Sequence, residues 1–353
     1  MTAAAASSPV PRAALERFFA DAFAVADRAG AARGRVARRY RLGPGAFRLV
    51  AAGVDAAAAL DAAFAHVRLP DAGEAGLEIH AWNEADGALP PAPWPADAYG
   101  QRGGIDLADD GRFAAFYQLG ADTLSIIDRD RGRALYHMRR SLPYWERSFP
   151  FRPIFHAALA GTTLQPVHAG AVGHPDGGVL VTGPSGAGKT TTTIACLEGG
   201  LSYAGDDYVL VDTGPNPVVH SLYSGAKFTE DALRRFPRLV PHVWNPDRRP
   251  DEKALVFGQD GFPAALVAAM PIRAIVVPRV TGLPDTTARR VPAAVAVRAL
   301  APTTLAHLPG GAAGTLAKLT RLCAAVPCFE LAAGTELAQL PVAVTRILER
   351  LSA

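Results

Sequence analysis

The segment GVLVTGPSGAGKTTTTIACLEGG, Gly178–Gly200, reads as strand, loop and helix in one unbroken run. Val179 to Thr182 is apolar and rich in β-branched residues, Gly183 to Gly188 is a glycine-rich turn, and a helix-forming stretch beginning near Thr190 is closed by Gly199 and Gly200. Gly183, four intervening residues, Gly188, Lys189 and Thr190 complete a phosphate-loop pattern in the strand-to-helix context that the pattern requires. Glycines let backbone N–H groups turn inward around phosphate oxygens, and the start of the helix adds its positive end. The expected contacts run along the whole loop: Gly183, Pro184, Ser185, Gly186, Ala187, Gly188, Lys189, Thr190 and Thr191. Lys189 is placed to reach the β and γ phosphates, and the Thr190 hydroxyl to ligate Mg2+. The sequence therefore points to a nucleoside triphosphate, with ATP and Mg2+ as the expected pair.

Working outward, a chain of 353 residues with 49% hydrophobic and 20% charged residues can bury a large core without a covalent staple. A formal net charge of +3 is small for that length and gives no electrostatic reason to expect nucleic acid or an anionic membrane. Cys196, Cys323 and Cys328 form neither a disulfide framework nor a zinc spacing, so a reducing cytoplasm is the expected location. Met1 to Pro11 lacks the basic and compact apolar regions of a signal peptide and reads as an unstructured start.

The first part, residues 1–150, reads as a smaller α+β module for a partner or substrate. A helix is expected over Arg12 to Arg28, a basic cluster at Arg33, Arg35, Arg38, Arg39 and Arg41, a strand at Phe47 to Ala51 and a helix over Asp55 to Val67. Strands are expected at Leu77 to Trp82, Arg112 to Leu119, Thr123 to Ile127 and Ala134 to Met138, the last three as an antiparallel meander. Residues 151–353 read as the catalytic domain. There, Leu164 to Val172 is expected as one strand carrying His168, and a turn at Pro175, Asp176 and Gly177 folds it back as a hairpin with the strand before the loop. Strands at Tyr208 to Val211, Val218 to Tyr223, Ile272 to Val277 and Cys328 to Leu331 follow. Helices are expected after Thr229, over Pro292 to Leu300, Ala313 to Val326 and Pro341 to Leu351.

Asp206 and Asp207 stand about 17 residues after Lys189, where a chain returning from the loop helix comes back beside the nucleotide. Two carboxylates there can divide labour, one holding Mg2+ and the other taking the proton of an attacking hydroxyl. Without the loop, an aspartate pair ahead of a strand is an ordinary solvated turn. Lys227, Lys253 and Arg279 are further candidates for phosphate or transition-state charge, each also readable as a surface cation, while His220 and Cys196 read as packing residues.

His168-Ala-Gly-Ala-Val-Gly, the loop from Gly178 to Thr190, and Leu201-Ser-Tyr-Ala-Gly-Asp-Asp occur in an order and at a spacing that resemble the HPr kinase/phosphorylase family. The resemblance is greatest to HPr-kinase-related kinases found beside clusters for ribosomally made peptides, lasso peptides among them. It implies an α/β catalytic core similar to phosphoenolpyruvate carboxykinase and a protein serine kinase. In that family's terms Asp206 is the general base, His168 assists it, Lys189 serves the phosphates, and Asp207 with Thr190 holds the metal. The family's second glycine-rich signature is not recognisable; Ser221-Leu-Tyr-Ser-Gly-Ala-Lys-Phe is the nearest stretch.

The function expected is ATP-dependent transfer to a serine or threonine hydroxyl of a small protein or peptide, with homo-oligomerisation open. A regulatory ATPase and a small-molecule kinase are the alternatives. The basic stretch Arg33 to Arg41 is the expected docking surface for an acidic peptide.

Overall fold

Two mixed sheets organise the chain in the computed structural model, which describes residues 8–352. The protein is mixed α/β. Alternating apolar residues in Phe113–Gln118, Thr123–Asp128 and Arg133–Met138 pair as the antiparallel meander, because the connections are short enough only for tight turns. Arg133–Met138 then pairs in parallel with Leu77–Asn83, which pairs in parallel with Gly45–Ala52. Arg35–Leu42 and the short Arg68–Leu69 extend that edge, and Gly104–Ile105 closes the other, giving eight strands.

Successive residues of these strands face opposite layers. Phe113, Ala115, Ile126 and Leu135 face the helix Arg12–Arg33, which brings Phe18 and Phe19 against Trp94 and Phe113. Ala114, Phe116, Ile127 and Tyr136 face a second core, which continues into Tyr208, Leu210, Tyr223 and Phe257 of the C-terminal half. Its centre is aromatic: the Phe64 ring lies 5.4 Å from Tyr40, 5.0 Å from Phe47 and 5.9 Å from Phe151.

Several local expectations are corrected. Beyond Arg33, which ends the first helix, the arginine cluster is a strand, Arg35–Leu42, in which Arg38 shares the inward face of the buried Tyr40 and Leu42 while Arg35, Arg39 and Arg41 lie on the other face. The helix expected over Asp55 to Val67 is the α-helix Val54–Asp61 followed by a 3-10 turn, Ala65–Val67. Phe64 leaves the helical path at φ −116° and ψ 0°, which carries its ring into the aromatic centre. Met1–Ser7 lies outside the described residues, but order begins before the first helix: Val10 is buried and its N–H donates to the Leu107 carbonyl at 2.8 Å. The expected N-terminal helix runs on to Arg33.

The second sheet is built on one long strand, Ala269–Val280. Its first residues pair antiparallel with Val218–His220, its middle pairs in parallel with Gly177–Val181, and its end pairs in parallel with Cys328–Ala333. Gly170–His174 and Gly177–Val181 form the expected hairpin, and Ser202–Gly205 pairs beyond it. The helices Lys189–Glu198 and Gln339–Ser352 cover one face through Ile194, Val344 and Ile347. Ala293–His307 and Ala312–Ala325 cover the other through Leu300, Leu319 and Leu322. The sequence reading missed the ladder Ala226–Phe228 with Ala254–Val256, and the strand Thr287–Val291. Among the described residues no helix is long and apolar enough to cross a membrane.

Between the two sheets Glu146 is completely buried, accepting from the Tyr136 hydroxyl at 2.9 Å and from the Arg152 guanidinium at 3.0 Å. Removing one partner of a buried pair strands the other charge at a cost of about 3–5 kcal/mol. Glu146→Leu is expected to lower the denaturant midpoint accordingly, and Glu146→Leu with Arg152→Met to recover most of the loss. Equal midpoints for the wild type and the single variant would show that Arg152 finds other solvation.

Candidate active site

The strand Gly177–Val181 is buried along its whole length and delivers the chain to the crest of the sheet, where Pro184, Ser185 and Gly186 are exposed. Gly186 at φ 82° and Gly188 at φ 96° bend the chain through the left-handed region, where a Cβ is disfavoured. A Cβ on Gly188 would also come within 3.2 Å of Val280, at the end of the long strand. The helix Lys189–Glu198 starts directly after this bend with no side-chain cap, so its first N–H groups have no intrahelical partner and point into the loop. Lys189, only 7% exposed, folds back so that its ammonium donates to the carbonyls of Gly183 at 2.9 Å and Pro184 at 3.2 Å. Among the described residues no carboxylate lies within ion-pair distance of it. The loop thus holds a cation whose partners are neutral.

Two neighbouring chain breaks complete the site. The single strand expected over Leu164 to Val172 is two, Leu164–Val167 and Gly170–His174, which join different ladders, and His168 sits in the gap. Ser202–Gly205 and Val209–Asp212 are interrupted in the same way at Asp206 and Asp207. Asp207 takes φ 64°, a conformation that aspartate tolerates better than most residues, and this turns the adjacent side chains in different directions. Asp206 Oδ2 accepts from the Thr190 hydroxyl at 2.7 Å. Asp207 instead meets His168 Nε2 at 3.4 Å and Lys227 Nζ at 3.2 Å. His168 is therefore paired with Asp207, the neighbour of the Asp206 that it was expected to assist.

The surroundings of the two carboxyls pull their proton affinities in opposite directions. Asp206 has no exposed surface, and burial together with the charge of Asp207 pushes it up to about 7, against the pull of Thr190 and Lys189. Burial also acts to raise Asp207, but Lys227 and His168 outweigh it and hold the group well below the usual carboxylate range. Burial lowers His168, Lys189 and Lys227. Oδ1 of Asp206, buried beside the helix start, has no hydrogen-bond partner. A carboxylate oxygen left open next to a threonine hydroxyl fits Mg2+, which takes one or two protein ligands and completes its shell with phosphate oxygens and water. No group of three or more His, Cys, Asp or Glu residues forms a metal cage among the described residues, so such an ion fits as a companion of the phosphates.

Other candidates separate by placement. Lys227 joins the cluster because the unforeseen strand Ala226–Phe228 carries it there, with its ammonium 4.4 Å over the Phe149 ring. Arg279 is 60% exposed and lies 3.5 Å from Glu330. Lys253 is within electrostatic reach of Lys189 and Lys227 without an ion pair of its own among the described residues. His220 ends its strand half-buried, and Cys196 is a buried thiol pushed up to about 12. The sequence reading missed His307, whose ring lies 5.1 Å from that of His168, and Arg152, whose guanidinium lies 3.3 Å from the Tyr208 hydroxyl. His307 stands beyond the expected end of its helix at Leu300, and only its position just before Leu308-Pro309-Gly310 marked a helix end.

No protein-family model matches the chain, and no curated protein matches it. Among solved structures, the HPr(Ser) kinase/phosphatase from Coxiella burnetii is similar at 12% identity, with 53% of this chain and 97% of that chain covered and a TM-score of 0.30. A likeness at that level leaves the chemistry to be read from the residues themselves.

Proposed function

We propose that the protein is an ATP-dependent kinase that phosphorylates a serine or threonine hydroxyl of a small protein or peptide. The observation that carries this reading is the convergence at the start of the loop helix. Thr190, next to Lys189, meets one carboxyl with an open oxygen, Asp206, while a second, Asp207, is held ionised by His168 and Lys227. Residues 151–353 form the catalytic part in this reading, and residues 1–150 the part that selects the acceptor. The three buried thiols suit a reducing compartment, and we place the protein in the cytoplasm.

Backbone N–H groups from Ser185 to Thr191 cradle the phosphates, and Lys189 leaves its two carbonyls to neutralise the β and γ oxygens. Thr190 and Asp206 are the residues that would hold Mg2+, which when bound would draw charge off the phosphates. Asp207 accepts the proton of the acceptor hydroxyl as its oxygen bonds to the γ phosphorus, and the bond to the β-phosphate oxygen breaks with its electron pair leaving on ADP. His168 and Lys227 fix the position of Asp207. A carboxylate held this low is a weak base, but phosphoryl transfer through a loose transition state depends more on positioning than on basicity. The roles within the pair are therefore exchanged relative to those the family resemblance implied, which gave Asp206 the proton and Asp207 the metal.

Incubation with γ-labelled ATP and a panel of serine-containing peptides tests the function. Label on peptide is expected; label released only as phosphate, with every peptide unlabelled, would replace the kinase by an ATPase.

Because protonated Asp206 cannot ligate a cation, Mg-ATP affinity is expected to rise as pH passes upward through about 7, with proton release on binding. Calorimetry in buffers of different ionisation enthalpy reads that proton, and Asp206→Asn should remove it. Metal-free stability moves the other way. Asp206 binds its proton more tightly folded than unfolded, so its contribution is fully present below the ordinary value of 3.8 and is lost as pH rises through about 7.

A further inference from the structure

The arginines from Arg33 to Arg41 are mostly engaged with their own neighbours. Arg33 pairs with Asp86 at 3.2 Å, Arg35 with Asp27, and Arg38 lies 3.9 Å from Asp61. Arg39 donates to the carbonyls of Glu74 and Ala72 at 2.9 and 3.1 Å. Arg41 alone is exposed without such a partner among the described residues, which leaves a single free guanidinium on the surface expected to dock an acidic peptide.

Another free cation stands at the rim of the catalytic cluster. Lys253 is exposed, and the acids beside it in sequence, Asp251 and Glu252, lie on Arg249 at 3.6 and 3.1 Å instead. The backbone that carries it is fixed. Its N–H donates to the Tyr144 hydroxyl at 3.2 Å and its carbonyl accepts from Asn245 Nδ2 at 3.0 Å, while Asn245 Oδ1 accepts from the Leu255 N–H at 2.8 Å. The Lys253 carbonyl and the Leu255 N–H thus turn to the same side, as they do in a strand, so the alternation of Ala254–Val256 extends back through Lys253. Leu255 stands opposite Lys227 in the ladder with Ala226–Phe228, and residues two apart share a face. Lys253 and Lys227 are therefore diagonal neighbours on one face of this ribbon. Such neighbours lie about 7–8 Å apart, within reach of long side chains.

Three ammoniums gather here against one carboxylate held ionised. Asp207 is taken by Lys227 and His168, Lys189 rests on two carbonyls, and Lys253 has no anion among the described residues. Burial does most to lower Lys189 and Lys227, and the charge of Lys253 weighs on both in the same direction. Like charges brought together without a counter-charge repel, and a phosphate arriving at the loop supplies what is missing. Arg279, the other cation considered from outside the loop, is held 3.5 Å from Glu330. We propose that Lys253 binds the γ phosphoryl group of the bound triphosphate, as a cation supplied from outside the phosphate loop. The inference rests on the kinase reading for the transfer step, whereas the contact itself needs only a bound triphosphate. In transfer the bond from the γ phosphorus to the bridging oxygen breaks with its electron pair going to ADP, and the acceptor oxygen forms the new bond as its proton passes to Asp207. Lys253 exchanges neither proton nor electron pair; it offsets charge on the equatorial oxygens.

Fluorescence titration of the full-length protein tests the contact without turnover. The probes are labelled ADP and a labelled non-hydrolysable ATP analogue, each with Mg2+. Lys253→Met is expected to weaken the triphosphate analogue about tenfold or more, as for the loss of one charge-assisted bond, and to leave ADP within about twofold. Lys253→Arg should keep most of the preference for the triphosphate. The side chain is exposed, so both variants should melt close to the wild type. Transfer from γ-labelled ATP should slow by about 10²-fold or more in the methionine variant. An unchanged preference for the triphosphate in the folded Lys253→Met protein overturns the inference. An equal loss for both nucleotides would assign Lys253 to the inner phosphates or the nucleoside, and a raised Michaelis constant for peptide with nucleotide binding intact would assign it to the acceptor; both also overturn it. A triphosphate preference that depends on Lys253, with the label released only as phosphate, would sink the kinase reading while the contact stands. A wild type that binds neither nucleotide sinks both.

Discussion

Lys189→Ala is expected to abolish nucleotide turnover, with a loss of about 10³-fold or more. The side chain is the loop's own cation, and its present partners are the carbonyls of Gly183 and Pro184, the second of which also accepts from the Ala187 N–H at 3.2 Å and keeps that donor when the side chain is removed. The other ammonium of the cluster cannot replace it, because Lys227 is committed to Asp207 at 3.2 Å. Burial already lowers the Lys189 ammonium, so its removal relieves a desolvated charge and the melting temperature should hardly fall. Activity and stability are thereby separated: a melting curve close to wild type beside absent turnover supports the assignment, and wild-type turnover refutes it. Lys189→Met, which keeps the length of the side chain, should behave like the alanine variant.

Asp207→Asn is expected to slow phosphoryl transfer by about 10² or more while Mg-ATP binding stays within a few fold, because an amide occupies the same space but takes no proton. Asp206→Asn should instead raise the Mg2+ concentration needed for half-maximal activity, since it replaces the carboxyl that faces Thr190 at 2.7 Å. Metal titrations of both variants under single-turnover conditions check the pair together. The opposite pattern would restore the order that the family resemblance implied, and two fully active variants would reduce the pair to a turn.

The loop, its helix, the hairpin before it and the meander of the first sheet were legible because each is written in local signals, glycines at a fixed spacing or strands separated by a tight turn. The breaks at His168 and at Asp206 were not. Leu164 to Val172 is apolar on both sides of the histidine, and nothing local tells a strand that its second half will find a different partner. Which carboxyl of the acidic pair faces the loop was hidden for a related reason. Adjacent residues share every sequence property of their position, and the left-handed turn at Asp207 alone decides which carboxyl faces the loop. Arg35–Leu42 did carry a strand alternation in Val36, Tyr40 and Leu42, but its five arginines, counting Arg33, drew the reading toward a solvated surface.

The long strand Ala269–Val280 has a consequence for the order in which the protein can be made. The loop strand Gly177–Val181 finds its parallel neighbour only in that strand, and Val280 also buttresses Gly188. During synthesis the phosphate loop therefore leaves the ribosome well before the backbone that fixes it, while the meander of the first sheet has all three of its strands at hand much earlier. Non-local parallel pairing of this kind is slow to form and leaves strand edges uncovered in the meantime. Under the proposed function, a nascent chain stalled before Ala269 is expected to retain no nucleotide, the capacity arriving late, with the residues that follow the acidic pair rather than with the loop itself.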